Sequence, residues 1–202
     1  MMNGKKELVI VTGVSGAGKS TAVGFMEDIG YYCVDNMPPL LLDTFLELIE
    51  SKSERSKIAI VMDIRSTENF DSLVEVLHQK ERFNYDIKVL YLDIKTHIAL
   101  KRYKLTRRKH PFSDRFNGDI SHALAYEREL LSSVRMLSDY IIDTSDMSGN
   151  QLRDRLTQLL LGTDREIMNI HVVSFGFKHG IPAEAHRSAL CILVLFLFYN
   201  VP

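Results

Sequence analysis

The stretch Gly13-Val-Ser-Gly-Ala-Gly-Lys-Ser20 has the spacing G-x-x-x-x-G-K-[ST] and directly follows the apolar run 8–12. Glycines at these positions let backbone N–H groups turn inward around a phosphate, and a helix that begins after the loop directs its positive end at the anion. Residues 21–29 contain no proline and are followed by Gly30, as expected of such a helix. The stretch therefore predicts a phosphate-binding loop between a strand and a helix, with a nucleoside triphosphate as its ligand.

The residues of this loop have separate expected roles. Lys19 is expected to reach the β- and γ-phosphates, and the Ser20 hydroxyl is expected to hold Mg²⁺. The predicted binding segment consists of Gly13, Val14, Ser15, Gly16, Ala17, Gly18, Lys19 and Ser20.

The composition is that of an ordinary globular protein. The chain has 202 residues, 46% of them hydrophobic, and a formal net charge of −1, which argues against a protein that coats nucleic acid. With two cysteines, neither a disulfide framework nor a cysteine-rich metal site is expected. The N-terminal residues have no signal-peptide core, so we expect a cytoplasmic protein that does not bind membranes.

Short apolar runs alternate with stretches of helical spacing. The runs do not alternate between polar and apolar residues, which is typical of strands that are buried on both faces of a parallel sheet. They lie at 8–12, 31–35, 58–63, 89–93 and 140–144, and helices are expected at 21–29, 40–49, 70–77, 123–137 and 152–160. This order predicts an α/β fold, a three-layer P-loop NTPase sandwich of the nucleotide-kinase type, over residues 1–165.

The character of the sequence changes after Gly162. Residues 171–182 have the pattern of a new strand and turn, so 166–202 is expected to be the beginning of a second, incomplete domain. The run 189–199 is apolar throughout, but it is shorter than the roughly 20 residues of a membrane span. From about residue 186 the tail is atypical, and we expect an altered gene end.

Four of the five apolar runs end at or beside an aspartate: Asp35, Asp63, Asp93 and Asp143. Ligands of open parallel sheets gather at the carboxyl ends of the strands, so each is a candidate site residue. Asp63 fits best the acid that is linked to Mg²⁺ at the end of an apolar strand. The alternative is that these aspartates simply end a strand or cap a helix.

A basic segment, residues 101–110, carries six Lys or Arg residues in its first nine positions. Arg102, Arg107 and Arg108 are the expected phosphate contacts, because the guanidinium binds phosphate in a fork. Contact with an RNA backbone and a solvated helix face are the alternatives. The sequence has no guanine-reading Asn-Lys-x-Asp box and no obvious glutamine to orient a water, so any hydrolysis is expected to be slow.

Several of these stretches together resemble the bacterial RapZ/YvcJ family of nucleotide-binding proteins. The resemblance covers residues 7 to about 185 and rests on the phosphate loop and on blocks at 27–38, 102–111, 142–145 and 174–182. It implies weak hydrolysis of both ATP and GTP, with ATP on the loop Gly13 to Ser20. The implied GTP segment is Asp63, Ile64, Arg65 and Ser66, where Ser66 stands in place of the usual asparagine.

From these motifs together, Lys19, Asp63, Arg107 and Arg108 are the expected catalytic residues, and Ser20 and Asp63 are the expected Mg²⁺ ligands. Some family members deliver a small regulatory RNA to a ribonuclease and so control amino-sugar synthesis, chiefly through a C-terminal domain. A small RNA, a protein partner or a second copy of the chain are therefore possible partners. A small-molecule kinase, in which Asp35 or Asp63 activates an acceptor hydroxyl, is the alternative function.

Overall fold

A computed structural model of the protein describes residues 6–52, 56–63, 67–106 and 109–162. The chain divides into two units, Met1–Thr163 and Asp164–Pro202, and the described residues all belong to the first. The predictions for 166–202 therefore lie outside the described residues.

Five strands and seven α-helices make up the described chain, with one α-helix between most successive strands and three between β4 and β5. The strands are β1 (Lys6–Gly13), β2 (Tyr32–Val34), β3 (Lys57–Val61), β4 (Tyr85–Asp93) and β5 (Tyr140–Asp143). The helices are α1 (Lys19–Asp28), α2 (Leu42–Lys52), α3 (Thr67–His78), α4 (Thr96–Thr106), α5 (Ile120–Leu130), α6 (Ser132–Met136) and α7 (Gly149–Leu161). Short 3₁₀ turns lie at Pro39–Leu41, Lys80–Arg82 and Ser113–Phe116.

All five strands pair in parallel, in the order β2-β3-β1-β4-β5. The predicted α/β fold class with a parallel sheet is confirmed. Strand-helix-strand connections are right-handed, which places α1 on one face of the sheet and α3 on the other. The helix contacts agree, because α1 packs against α7 whereas α3 packs against α6.

The central strands form the core. Leu8, Val9, Ile10 and Val11 of β1 are fully buried, as are Ile58, Ala59 and Ile60 of β3. Burying one large aliphatic side chain contributes about 1.5–3 kcal/mol, so these non-alternating strands stabilise the layers on both sides of the sheet. This burial on both faces is the physical reason for the continuous apolar runs in the sequence.

The predicted helix 123–137 is wrong in one respect, because the structure contains two helices there. Helix α5 ends at Leu130, and α6 begins at Ser132. The Ser132 hydroxyl donates a hydrogen bond of 2.7 Å to the Glu129 carbonyl. A serine that bonds to a nearby carbonyl competes with the regular helical pattern, and this accounts for the break.

The helix ends follow the sequence closely. Ser148 caps α7 with a capping box, in which its hydroxyl accepts from the Gln151 N–H and the Gln151 side chain accepts from the Ser148 N–H. Gly30 follows α1 with a φ of 91°, a conformation that favours glycine.

None of the described helices combines the length and the apolar character that crossing a membrane requires.

The order of the strands determines where a ligand can bind. The chain leaves β1 towards the β2 edge of the sheet and leaves β3 towards the β4 edge. Such a reversal opens a crevice at the carboxyl ends of the two strands. The loop after β1 and the residues after β3 therefore meet at the middle of the sheet.

Candidate functional site

The loop between β1 and α1 lies at this crevice. Its first turn is fixed to the neighbouring strand, because the Val14 N–H donates a hydrogen bond of 3.0 Å to the Leu92 carbonyl. Gly18 caps α1 with a φ of 97°, a left-handed conformation that strains other residues. The first N–H groups of an α-helix have no partners inside the helix, so α1 presents donors where the loop meets it.

The side chain of Lys19 extends back over the loop. Its Nζ donates to the Gly13 carbonyl at 2.7 Å and to the Val14 carbonyl at 3.3 Å. It also lies 3.2 Å from Oδ1 of Asp63, and the side chains of this ion pair are only 10% and 17% exposed. The structure thus brings together the predicted lysine and the predicted strand-end aspartate.

A cleft of about 820 Å³ opens over the loop. Its described lining includes most of the predicted loop and the two aspartates Asp35 and Asp63. It also includes residues from the far end of the sheet and from the basic segment: Arg102, Tyr103, Lys109, Thr144, Ser148 and Gly149. The predicted magnesium ligands, Ser20 and Asp63, both line this cleft.

Arg102 and Thr144 connect the far side of the cleft to the loop by hydrogen bonds. The Arg102 guanidinium donates to the Gly16 carbonyl at 2.8 Å and to the Thr144 carbonyl at 3.1 Å. The Thr144 hydroxyl donates to the Ala17 carbonyl at 2.8 Å. The end of β5 and the last turns of α4 therefore hold the loop from two directions, 86 and 127 residues away along the chain.

The four predicted aspartates separate into two pairs. Asp35 and Asp63 line the cleft. Asp93 does not line the cleft, and its carboxylate pairs instead with Arg128 at 3.0 Å and with Arg135 at 3.5 Å. Asp143 accepts hydrogen bonds from the backbone and the hydroxyl of Ser145, which lower the pKa of its carboxyl group. Asp93 and Asp143 thus fit the alternative interpretation, in which a strand-end aspartate has a structural role and binds no ligand.

Some predicted residues cannot be placed. Ile64, Arg65, Ser66, Arg107 and Arg108 lie outside the described residues, so their roles stay predictions. The first part of the basic segment forms the end of α4, and Lys109 after the gap pairs with Asp114 at 2.6 Å. Contact of this segment with an RNA also stays a prediction.

Glu127 is the residue that the sequence analysis missed. It is fully buried on α5 and accepts two hydrogen bonds from Ser15, one from the N–H at 3.0 Å and one from the hydroxyl at 2.6 Å. Nε2 of the buried His110 lies 3.3 Å from the same carboxylate. Its position in the sequence could have indicated that it is buried, because Glu127 lies on the same face of the helical pattern as the buried residues Ala123, Leu124 and Leu131.

The surroundings of Glu127 favour its ionised form. Burial by itself raises the pKa of Glu127. The hydrogen bond from His110, the charge of Lys19 and the hydrogen bonds from Ser15 outweigh burial and lower the pKa below its ordinary value. The ionised carboxylate therefore stabilises the folded state at neutral pH.

This stabilisation should disappear in acid. Because the pKa of Glu127 is lower in the folded than in the unfolded chain, its contribution is lost as the pH falls below the ordinary 4.5 and through the lowered value. We expect the difference in free energy of unfolding between the native chain and Glu127→Gln to be constant above pH 4.5 and to shrink below it. Urea unfolding at a series of pH values measures this, with Glu129→Gln, exposed on the same helix, as the control. A difference that persists unchanged in acid would contradict the assignment.

Comparison with known proteins matches residues 6–164 to the RapZ-like N-terminal domain. A nucleotide-binding protein of Listeria monocytogenes serotype 4b is 42% identical over 186 residues, covering 92% of this chain and 63% of that relative. A nucleotide-binding protein of Caldicellulosiruptor saccharolyticus is 45% identical over 181 residues, covering 89% of this chain and 62% of that relative. The chain thus spans less than two thirds of the length of these curated relatives.

A solved structure shows the same fold. The crystal structure of TT1252 from Thermus thermophilus aligns with a TM-score of 0.50 and 11% sequence identity, covering 78% of this chain and 97% of that one. At this identity the likeness is one of fold alone.

Proposed function

The chain belongs to the family of the RapZ-like N-terminal domain, and on this basis we propose that it is a regulatory protein that binds ATP and GTP and hydrolyses both slowly. The observation that carries the proposal is the position of Lys19. Its ammonium group lies inside the glycine loop, within 3.3 Å of two loop carbonyls and Asp63, at the floor of a cleft of about 820 Å³. Two relatives that are 42% and 45% identical are named nucleotide-binding proteins.

The loop can bind phosphate without a change in its backbone. The N–H groups at the start of α1 and the positive end of the helix favour an anion at this place. The Lys19 ammonium already lies beside the loop and provides a positive charge for the phosphates. Arg102 lines the same cleft and adds a second cation.

The residues present fit a magnesium ion. Mg²⁺ in nucleotide sites is usually held by one or two protein oxygens together with the substrate phosphates. Ser20 and Asp63 supply a hydroxyl and a carboxylate on the lining of one cleft. When bound, the metal neutralises phosphate charge, while Asp63 also keeps Lys19 directed towards the loop.

The composition of the cleft lining supports the proposal that hydrolysis is slow. Among the described residues of the cleft there is no glutamine to orient an attacking water, and Gln151 is used in the cap of α7. Two carboxylates line the cleft, Asp35 and Asp63, and these are the groups that could position a water there. The family resemblance implies a link to a small RNA and to amino-sugar control in longer proteins. We propose this link only as a role of the whole protein.

A small-molecule kinase is the second candidate. Asp35 lines the same cleft as Lys19 and follows the end of β2, so it can accept a proton from an acceptor hydroxyl bound there. This function predicts that ATP is consumed only when an acceptor is present. Screening sugars and other polyols for acceptor-dependent ADP formation distinguishes it from a hydrolase, whose rate is the same without an acceptor.

Direct measurement of both nucleotides tests the main proposal. We expect the purified chain to bind Mg·ATP and Mg·GTP and to release phosphate slowly from each, and we expect chelation of Mg²⁺ to stop the release. Calorimetry measures the binding, and a coupled phosphate assay measures the release. Absence of binding for both nucleotides would overturn the proposal, and binding of one alone would restrict it to that nucleotide.

A further inference from the structure

The loop residue Ser15 is held by a carboxylate from a distant helix. Both donors of Ser15 point at Glu127, with the N–H on Oε2 at 3.0 Å and the hydroxyl on Oε1 at 2.6 Å, across 112 residues of sequence. Val14, the preceding residue, is held by the Leu92 carbonyl. The first half of the loop is therefore fixed by partners outside the loop before any ligand arrives.

His110 completes the arrangement. Its Nδ1 accepts a hydrogen bond of 3.1 Å from the Phe112 N–H, so the proton of the neutral ring lies on Nε2. Nε2 then donates to Oε2 of Glu127 at 3.3 Å. The two carboxylate oxygens thus accept three donated hydrogen bonds, which satisfies a charge that is otherwise costly to bury.

The geometry excludes direct chemistry by Glu127. Its side chain is 1% exposed, both oxygens are occupied, and it is not among the residues that line the cleft. A general base must come within hydrogen-bond reach of the proton that it takes, and this carboxylate is enclosed by Ser15 and His110. Its influence on a ligand can pass only through the loop.

We propose that Glu127 is a positioning residue of the phosphate-binding loop and that His110, with its proton on Nε2, holds Glu127 in place. This inference rests on the proposed nucleotide binding at the same loop. The carboxylate engages both donors of Ser15 and so fixes the backbone at the start of the loop, which leaves the N–H groups further along the loop for the phosphates. It also links the loop to the basic segment, because His110 is the last residue of that segment and contacts Glu127.

Ligand affinity tests the proposal. We expect Glu127→Gln to weaken the binding of Mg·ATP and Mg·ADP about tenfold, because the amide offers one acceptor oxygen where the carboxylate offers two and loses the charge-assisted hydrogen bonds. Ser15→Ala removes only the hydroxyl and should weaken binding to a smaller extent. The double variant should bind little more weakly than Glu127→Gln alone, because both changes remove the same contact. Glu129→Gln, an exposed charge change on the same helix, should bind as the native chain does.

A spectroscopic measurement separates positioning from mere stabilisation. In the native chain labelled with ¹⁵N-histidine, we expect one ring, identified by its loss in His110→Gln, to have a protonated Nε2 and an unprotonated Nδ1. That signal should shift in Glu127→Gln, while the signal of the exposed His122 should not. His110→Gln, which retains a donor near Nε2, should also bind nucleotide more tightly than His110→Leu.

Each outcome decides the inference. Unchanged or tighter nucleotide binding by Glu127→Gln, or a His110 ring with its proton on Nδ1, overturns it. If Glu127→Gln does not fold, unchanged affinity in Ser15→Ala overturns it in the same way. Failure of the native chain itself to bind nucleotide overturns the proposed function as well, whereas native binding with an unaffected Glu127→Gln variant overturns only the present inference.

Discussion

Replacing Lys19 with alanine is expected to lower phosphate release from ATP and from GTP at least about 100-fold. The lysine supplies the one ammonium group that lies within the loop among the described residues, with its Nζ 2.7 Å from the Gly13 carbonyl. Removing it takes away the charge that stabilises the developing negative charge on the transferred phosphoryl group. It also removes the positive charge that lies 3.2 Å from Asp63, which makes the site less favourable for an anion.

The matched control for this variant is Lys88→Ala. Lys88 lies on β4 and pairs with Asp86 at 3.4 Å, so the change removes a lysine charge without touching the cleft lining. Phosphate release by Lys88→Ala should equal that of the native chain. Equal rates for Lys19→Ala and the native chain would show that the measured release comes from another site or from a contaminant.

Replacing Gly13 with alanine is expected to destabilise the fold by at least about 3 kcal/mol. Gly13 has a φ of 133°, and a Cβ built there lies 2.1 Å from the Leu92 carbonyl oxygen and 2.6 Å from the Leu92 nitrogen. Both of these atoms belong to the backbone of the adjacent central strand, so they cannot move aside as the end of a side chain can. The overlap must separate β1 from β4 or displace the start of the loop.

Gly24→Ala provides the comparison. Gly24 lies in the middle of α1, and a Cβ built there meets no atom within 4 Å. Because alanine forms helix better than glycine, this variant should be more stable by about 0.5–1 kcal/mol. Urea unfolding of both variants measures the two effects, and a Gly13→Ala chain as stable as the native one would contradict the close approach of β1 to β4.

Most of the architecture could be predicted from local patterns. The five apolar runs became the five strands. In the central strands β1, β3 and β4 the reason is that residues buried on both faces of a sheet must be apolar, and this requirement is visible without knowledge of the neighbours. Ser148 and Gly30 marked helix ends because their roles depend on the backbone of the same segment. The break at Leu131 was missed, since no glycine or proline marks it between residues 123 and 137.

The sequence favoured Asp63 among the four strand-end aspartates, but it did not show which of the other three face the cleft. Asp35, Asp63, Asp93 and Asp143 all stand at or beside the end of an apolar run. Asp93 is neutralised by two arginines that α5 and α6 supply from 35 and 42 positions further along the chain. No local pattern distinguishes a carboxylate with such partners from one that faces a cleft.

The phosphate loop could be recognised from adjacent residues alone, because its glycines, the following helix and the position of Lys19 are all local features. The parallel sheet could be recognised from the length and apolar character of its runs. Folding was needed to show that Lys19 meets Asp63, that Arg102 and Thr144 hold the loop, and that Glu127 fixes Ser15. These contacts join residues that are 44 to 127 positions apart, and the packing of helices on the sheet sets their distances. A buried charge is tolerated only where such packing brings donors to it, so its role becomes visible only in the folded chain.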